Sequence, residues 1–194
     1  NSGAEAVEAA IRVCFKSYSN KRKFILHSDR SYHGKLIGSG SISGSYFKEN
    51  QFPVMENCVS YKFNNITDLE NKIIKYSNSG GIYSLIIETF SASTLESVSN
   101  DFMDQLFKLK DKYGFRIIFD EVFTGFYKSE KMFCFQNFEN KCPDVLCLSK
   151  TLGGGKSSIS SLIVDEVIYD KAYNKINDTF LHTTTYNGFG EESI

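Results

Sequence analysis

Three short, mostly apolar runs constrain the fold of this chain more than any other feature of its sequence. They are Ile82–Ile87, Phe115–Phe119 and Val145–Leu148. Runs of this length are typical of strands that are covered on both faces, as in a parallel sheet. Other segments, such as Ala4–Tyr18 and Asn100–Leu109, place apolar residues at helical spacing. This alternation predicts an α/β fold with a mostly parallel central sheet flanked by helices.

The charge balance narrows the function classes that the sequence allows. The 194 residues carry 22 Lys and Arg against 23 Asp and Glu, a net charge of −1, which argues against nucleic-acid binding through phosphate contacts.

No apolar run approaches the roughly 20 residues that a membrane helix needs, so we expect no membrane partner. The five cysteines form no C-x-x-C pair, and we expect a cytoplasmic location and no metal site.

The extent of the chain is a second constraint. It begins at Asn1, without a methionine and inside a pattern typical of a helix start, and it stops at Ile194 without a closing element. At ~150 residues per domain, 194 residues correspond to about one domain. We therefore expect one domain that is a piece of a longer chain.

Local patterns predict where some elements begin. Thr67 and Glu70 have the spacing of a capping box at a helix start, and Asn100 predicts the cap of another helix. The glycine- and serine-rich stretch Ser39–Ser45 is typical of a loop.

A polar residue follows each of the three apolar runs. Glu88 follows the first, Asp120 the second, and Lys150 comes shortly after the third. Ligands of open α/β sheets bind outside the carboxyl ends of the strands, so these side chains could meet in one crevice. The alternative is that each residue only marks the point where its strand reaches solvent.

Lys150 precedes Thr151-Leu152-Gly153-Gly154-Gly155, and a lysine amine in this setting can hold an aldehyde cofactor as a Schiff base. Pyridoxal phosphate needs such a lysine, an acid facing its ring nitrogen, and a cradle for its phosphate. Asp120 is the candidate acid. Ser2-Gly3-Ala4 is the candidate cradle, because the first N–H groups of a helix lack partners and attract anions. An ordinary helix cap is the alternative for Ser2-Gly3, and an ordinary turn for Tyr32-His33-Gly34.

Five motifs carry a resemblance to a known family. In chain order they are Asn1-Ser2-Gly3-Ala4-Glu5-Ala6, Tyr32-His33-Gly34, Phe119-Asp120-Glu121-Val122-Phe123-Thr124-Gly125-Phe126, Pro143-Asp144-Val145 with Ser149-Lys150-Thr151-Leu152-Gly153-Gly154-Gly155, and His182-Thr183-Thr184-Thr185-Tyr186-Asn187-Gly188. Their order and spacing resemble the class III pyridoxal-phosphate aminotransferases, which include ornithine and 4-aminobutyrate aminotransferases and glutamate-1-semialdehyde aminomutase. The resemblance implies the large domain of a fold-type-I transferase.

The resemblance assigns roles around the cofactor ring. Lys150 matches the Schiff-base lysine, which also moves a proton between substrate and cofactor, and Asp120 matches the partner of the ring nitrogen. Val122 and Tyr32 match the residues that cover the two ring faces. His33 belongs to the Tyr32 motif and is included among the cofactor-binding residues.

Further matches concern the cofactor phosphate and the partner subunit. Ser2, Gly3 and the Ala4 amide match the phosphate-binding turn, although the family often has Thr or Ser at position 4. Glu88 matches an acid near the active site. Thr185 matches a threonine that reaches the cofactor phosphate of a partner subunit, which implies a homodimer with a shared active site.

The resemblance also implies a domain assignment and an activity. Residues 1–194 correspond to the central cofactor-binding domain, with an N-terminal segment and a C-terminal small domain elsewhere in a longer chain. The implied activity is amino transfer between an amino acid or amine and an oxo acid.

Three alternatives to a transaminase follow from the residues. An aminomutase or racemase of the same family would use the same residues, and a non-catalytic dimerisation domain would keep the fold alone. A P-loop hydrolase is disfavoured, because the Walker pattern ending in Gly155-Lys156-Ser157 needs glycine at position 150, where this chain has Lys150.

Overall fold

The chain forms one central sheet with helices on both faces. The computed structural model describes residues 1–44 and 53–188. The strands are β1 Phe24–Ser28, β2 Cys58–Tyr61, β3 Ile82–Ile87, β4 Arg116–Asp120, β5 Val145–Leu148 and β6 Ser161–Val164. The α-helices are α1 Gly3–Ser17, α2 Ile37–Ser41, α3 Ile66–Ser79, α4 Asn100–Tyr113 and α5 Glu166–Ala172. Short 3₁₀ helices span Cys134–Asn137, Lys150–Gly153 and Ile176–Phe180.

The strand order across the sheet is β2-β1-β3-β4-β5-β6. The first five strands pair in parallel, and β6 runs antiparallel to β5. Parallel strands of one sheet need crossover connections. Helix α4 connects the neighbouring strands β3 and β4, and α3 connects β2 to β3, which lie on either side of β1. The predicted α/β fold with a mostly parallel sheet is confirmed.

Two apolar layers, one on each face of the sheet, explain why the strand sequences are continuously apolar. In β4, Ile117 and Phe119 pack in the cluster that includes residues of α3 and α4. Ile118, between them, packs in the cluster built on α1. All three side chains are fully buried, and burying each is worth about 1.5–3 kcal/mol. The sheet is therefore packed against helices on both faces, which fixes the positions of the strand ends at its carboxyl edge.

Two helix starts differ from the prediction. The cap of α3 is Asn65, whose side-chain oxygen accepts the N–H of Asp68 at 2.9 Å, so Thr67 lies inside the helix. The cap of α4 is Ser99, one residue before Asn100. In both cases a neighbouring residue with an equally good capping oxygen takes the position, which sequence spacing alone does not decide.

The prediction of a loop over Ser39–Ser45 is wrong for its first part, because Ile37–Ser41 forms α2. The backbone N–H of Ser39 donates to Glu8 Oε1 of α1 at 2.8 Å. This contact satisfies a donor at the start of the short helix that would otherwise lack a partner. Residue 45 lies outside the described residues.

No helix in the described parts of the chain is both long enough and apolar enough to cross a membrane.

Candidate active site at the carboxyl edge of the sheet

The exits of three neighbouring strands meet at one cavity. Glu88 follows β3, Asp120 ends β4, and Lys150 comes two residues after β5. The cavity has a volume of about 280 Å³, just below the range of roughly 300–1,000 Å³ that is common for small-molecule sites. The predicted site residues that line it are Gly3, Ala4, Tyr32, His33, Glu88, Asp120, Val122 and Lys150.

Asp120 is held by two hydrogen bonds at the floor of this cavity. Its Oδ2 accepts from His33 Nδ1 at 2.7 Å, and its Oδ1 accepts from the backbone N–H of Val122 at 3.1 Å. The Asp120 and His33 side chains are 4% and 0% exposed. A carboxylate has about four acceptor positions, so Asp120 can accept a further donor from a bound molecule.

The other nitrogen of the same histidine has a different environment. His33 Nε2 is buried and has no hydrogen-bond partner within the described part of the chain. The alternative reading of Tyr32-His33-Gly34 as an ordinary turn with a satisfied histidine therefore holds for only one of its two ring nitrogens.

Glu88 is the second buried acid of the cavity. Its carboxylate accepts the backbone N–H groups of Tyr32 at 2.9 Å and Ala92 at 3.2 Å. Burial raises the pKa of Glu88 above its ordinary value of 4.5, and Asp120 nearby raises it further, while His33 and the two N–H donors act in the opposite direction. Glu88 thus fixes the main chain at Tyr32 and takes up a proton more readily than an exposed glutamate.

The raised pKa predicts a pH-dependent stability term that depends on Glu88. Because folding favours the protonated acid, this term is fully present below pH 4.5 and is lost as the pH rises through the raised pKa of the folded state. We expect Glu88→Gln to flatten this part of the profile, measured as the unfolding midpoint against pH. Glu70→Gln, at an exposed position of α3, is the control and should leave the slope unchanged. Parallel profiles for wild type and Glu88→Gln would contradict this expectation.

The amino-terminal turn of α1 forms another wall of the cavity, and it is packed closely. A Cβ atom at Gly3 would lie 2.6 Å from a methyl carbon of Val122, and one at Gly34 would lie 2.7 Å from the Cβ of Ala4. Gly34 also has a φ of +128°, a conformation that other residues rarely adopt. The backbone of α1 can therefore approach the cavity directly, with its first N–H groups at the wall.

Replacing Gly34 with alanine should destabilise the fold by about 1–3 kcal/mol, because it adds backbone strain and a contact with Ala4. Gly154→Ala is the matched control. Gly154 also has a positive φ, +59°, but nothing lies within 4 Å of an added Cβ, so only strain of about 1 kcal/mol is expected. The measurement is the free energy of unfolding by denaturant, and equal losses in the two variants would argue against close packing at Gly34.

Lys150 reaches the cavity from a strained backbone position. It opens a 3₁₀ helix after β5 with a φ of +45°, which costs a non-glycine residue of the order of 1–3 kcal/mol and tends to occur at functional sites. Its Nζ lies 5.2 Å from the ring centroid of Phe123. Before it, Ser149 Oγ donates to the carbonyl of Ile159 at 3.0 Å, which holds the end of β5 in place.

Two predicted site residues lie outside the cavity wall. Ser2 caps α1, and its Oγ accepts the N–H of Glu5 at 3.3 Å. Thr185 is exposed in a turn near the end of the described chain. The structure therefore brings Gly3 and Ala4 to the cavity and leaves Ser2 beside it and Thr185 apart from it.

Sequence reasoning missed several residues that belong to this site. Lys35, Ala92 and Phe123 line the cavity, and each adjoins a residue that was predicted or bonds to one. Phe123 lies inside the motif Phe119–Phe126, directly after Val122, and Lys35 directly follows Tyr32-His33-Gly34. Their positions in or beside a motif are the sequence signal for these two residues. Ala92 is identified only by its hydrogen bond to Glu88.

Comparisons with known proteins agree with this architecture. A family model described as aminotransferase class-III matches residues 1–189. The chain is similar to a transaminase from the marine bacterium Virgibacillus, at 23% identity and a TM-score of 0.87, with 95% of this chain and 44% of that chain covered.

Two further solved structures are similar. An amine transaminase from an uncultivated Pseudomonas species, in its PLP-bound form, has 24% identity and a TM-score of 0.87, with 96% of this chain and 47% of that chain covered. An ornithine aminotransferase from Toxoplasma gondii has 22% identity and a TM-score of 0.78, with 88% and 41% covered. The chain thus spans less than half the length of these three proteins.

The sheet order, the flanking helices and these structural neighbours define the fold as that of a fold-type-I transferase. Within this fold class, the chain belongs to the class-III aminotransferase family.

Proposed function

We propose that the whole protein carrying this chain is a pyridoxal-phosphate-dependent aminotransferase that moves an amino group between an amino acid or amine and an oxo acid. The observation that carries the proposal is the meeting of Asp120, Glu88 and Lys150 with the amino-terminal turn of α1 around one cavity. Membership of the class-III family supports it.

The residues present fit the phosphate of this cofactor. Glycine at positions 3 and 34 lets the backbone approach without a clash, and the N–H groups at the start of α1 favour an anion through unpaired donors and the helix dipole. Gly3 and Ala4 would hold the phosphate through their backbone, with the Ser2 hydroxyl beside them. Since Ala4 has no hydroxyl, the main chain carries more of the binding here.

The residues also fit the cofactor ring. Asp120 has acceptor capacity left for a ring N–H, and His33 holds it in place through the 2.7 Å hydrogen bond. Val122 and Tyr32 would cover the two faces of the ring. When bound, pyridoxal phosphate supplies an aldehyde that takes the amino group and a ring that takes up electrons from the substrate carbon.

Lys150 has two roles in this proposal. Its amine would attach the cofactor covalently, and once released it would move a proton from the substrate carbon to the cofactor. Glu88 would keep Tyr32 in place through the backbone N–H that it accepts. Glu88 is itself held just after β3 by its hydrogen bonds to Tyr32 and Ala92, which favours accurate positioning.

Thr185 and the domain assignment complete the proposal. Because Thr185 lies away from the cavity of its own chain, we propose that it reaches the cofactor phosphate of a partner subunit in a homodimer. We also propose that residues 1–194 are part of the large domain. The remaining parts of the relatives' length would correspond to an N-terminal segment and a C-terminal small domain.

The experiment is cofactor binding and amino transfer by the purified whole protein. We expect pyridoxal phosphate to stay bound through dialysis with a visible absorption band, and a panel of amine donors to give oxo products over repeated turnovers only when an oxo acid acceptor is present. Repeated formation of an isomeric amino product without an acceptor would indicate an aminomutase or racemase instead. Absence of both the band and any turnover would indicate a non-catalytic domain and overturn the proposal.

A further inference from the structure

Glu121 is a buried acid between the two cavity residues Asp120 and Val122. Its side chain does not line the cavity, and it forms no ion pair within the described residues. Its exposed fraction is 1%. A carboxylate in such a position is costly unless several donors surround it. The donors that surround the Glu121 carboxylate indicate its structural role.

Four donors converge on the Glu121 carboxylate. Oε2 accepts from Thr124 Oγ1 at 2.7 Å and from the backbone N–H of Cys134 at 2.9 Å. Oε1 accepts from the backbone N–H of Phe135 at 2.7 Å and from Thr89 Oγ1 at 3.4 Å. This one side chain therefore joins the exit of β3, the turn after β4 and the 3₁₀ helix Cys134–Asn137.

The main chain of Glu121 is fixed as well. Its N–H donates to the carbonyl of Cys147 in β5 at 3.0 Å, and its carbonyl accepts the N–H of Gly125 at 2.9 Å. With both backbone groups and both carboxylate oxygens engaged, the residue cannot rotate or shift independently. Its two neighbours, Asp120 and Val122, are consequently presented to the cavity in one orientation.

We propose that Glu121 is a positioning residue for the cofactor site: it sets the placement of Asp120 and Val122 against the ring and ties Thr89, next to Glu88, to the same turn. This inference rests on the proposed function. Only a side chain whose two terminal atoms are both acceptors suits the site, since the backbone N–H groups of Cys134 and Phe135 each donate to a different oxygen. Glutamine would aim its amide donors at one of these N–H groups in either orientation.

The test compares Glu121→Gln with Asp144→Asn in the whole protein. Asp144 accepts the N–H of Ile117 at 2.7 Å and pairs with Lys110 at 2.9 Å, so it is a hydrogen-bonded acid near the opposite end of β4. The readouts are the Kd for pyridoxal phosphate, the pH dependence of its bound visible absorbance, and the free energy of unfolding. Thr124→Val, which removes one donor and keeps the carboxylate, is the milder second variant.

We expect Glu121→Gln to raise the Kd about tenfold or more and to shift the pH profile of the absorbance, and Thr124→Val to act in the same direction by a smaller factor. Asp144→Asn should lower stability and leave both cofactor readouts unchanged. If Glu121→Gln fails to fold, Thr124→Val decides. Variants that lose stability but keep the wild-type Kd and pH profile would overturn the inference. Failure of the wild type to bind the cofactor would instead overturn the proposed function.

Discussion

Replacing Lys150 with alanine is expected to lower the rate of amino transfer by roughly a thousandfold or more. The variant loses the only amine that the proposed mechanism uses for cofactor attachment and proton movement. It should still bind pyridoxal phosphate, because the cradle at Gly3 and the acid Asp120 remain, but not covalently. Turnover and borohydride reduction of the bound cofactor measure the two losses separately.

Lys156→Ala is the matched control for that variant. Lys156 is an exposed lysine of the same glycine-rich segment, and its removal changes the charge by the same amount. It should leave the rate within a factor of about two, in line with the small effects of most surface substitutions. Full activity in Lys150→Ala would contradict the assignment of the lysine.

Replacing Asp120 with asparagine is expected to lower the rate by about a hundredfold or more and to weaken cofactor retention. The substitution keeps the size of the side chain but removes the charge that, in the proposed function, would face the ring nitrogen. One amide N–H₂ would also oppose either His33 Nδ1–H or the N–H of Val122, which now donate to the carboxylate.

The measurement for Asp120→Asn is the steady-state rate together with the Kd for pyridoxal phosphate. Asp165→Asn is the control. Asp165 is an exposed helix cap, and its Oδ1 accepts the N–H of Val167 at 3.0 Å. Asparagine caps nearly as well as aspartate, so neither readout should change. An Asp120→Asn enzyme with wild-type rate and affinity would contradict the role of the acid.

The α/β fold could be predicted from the sequence because strands that are buried on both faces have a continuous apolar composition. A run such as Ile82–Ile87 has apolar side chains on both faces, which only a covered sheet accommodates. Helix starts were less secure, as the caps at Asn65 and Ser99 show, since several nearby residues can supply the same oxygen. Helix α2 could not be foreseen, because its start depends on Glu8 from another helix.

The meeting of residues at the candidate site could be predicted where a motif and a strand exit coincide, as at Asp120 and Lys150. It could not be predicted where a role depends on contacts between segments distant in the chain. Glu121 belongs to the motif Phe119–Phe126, yet its donors Thr89 and Cys134 lie 32 and 13 residues away. The strained φ of Lys150 is likewise a property of the folded chain and has no sequence signal of its own.

The proposed function depends most directly on which residue carries the cofactor. The whole protein, loaded with pyridoxal phosphate, is reduced with borohydride, digested, and mapped by mass spectrometry. We expect one modified peptide, with the added mass on Lys150. Modification of Lys35, the other lysine that lines the cavity, or of no lysine at all, would contradict it.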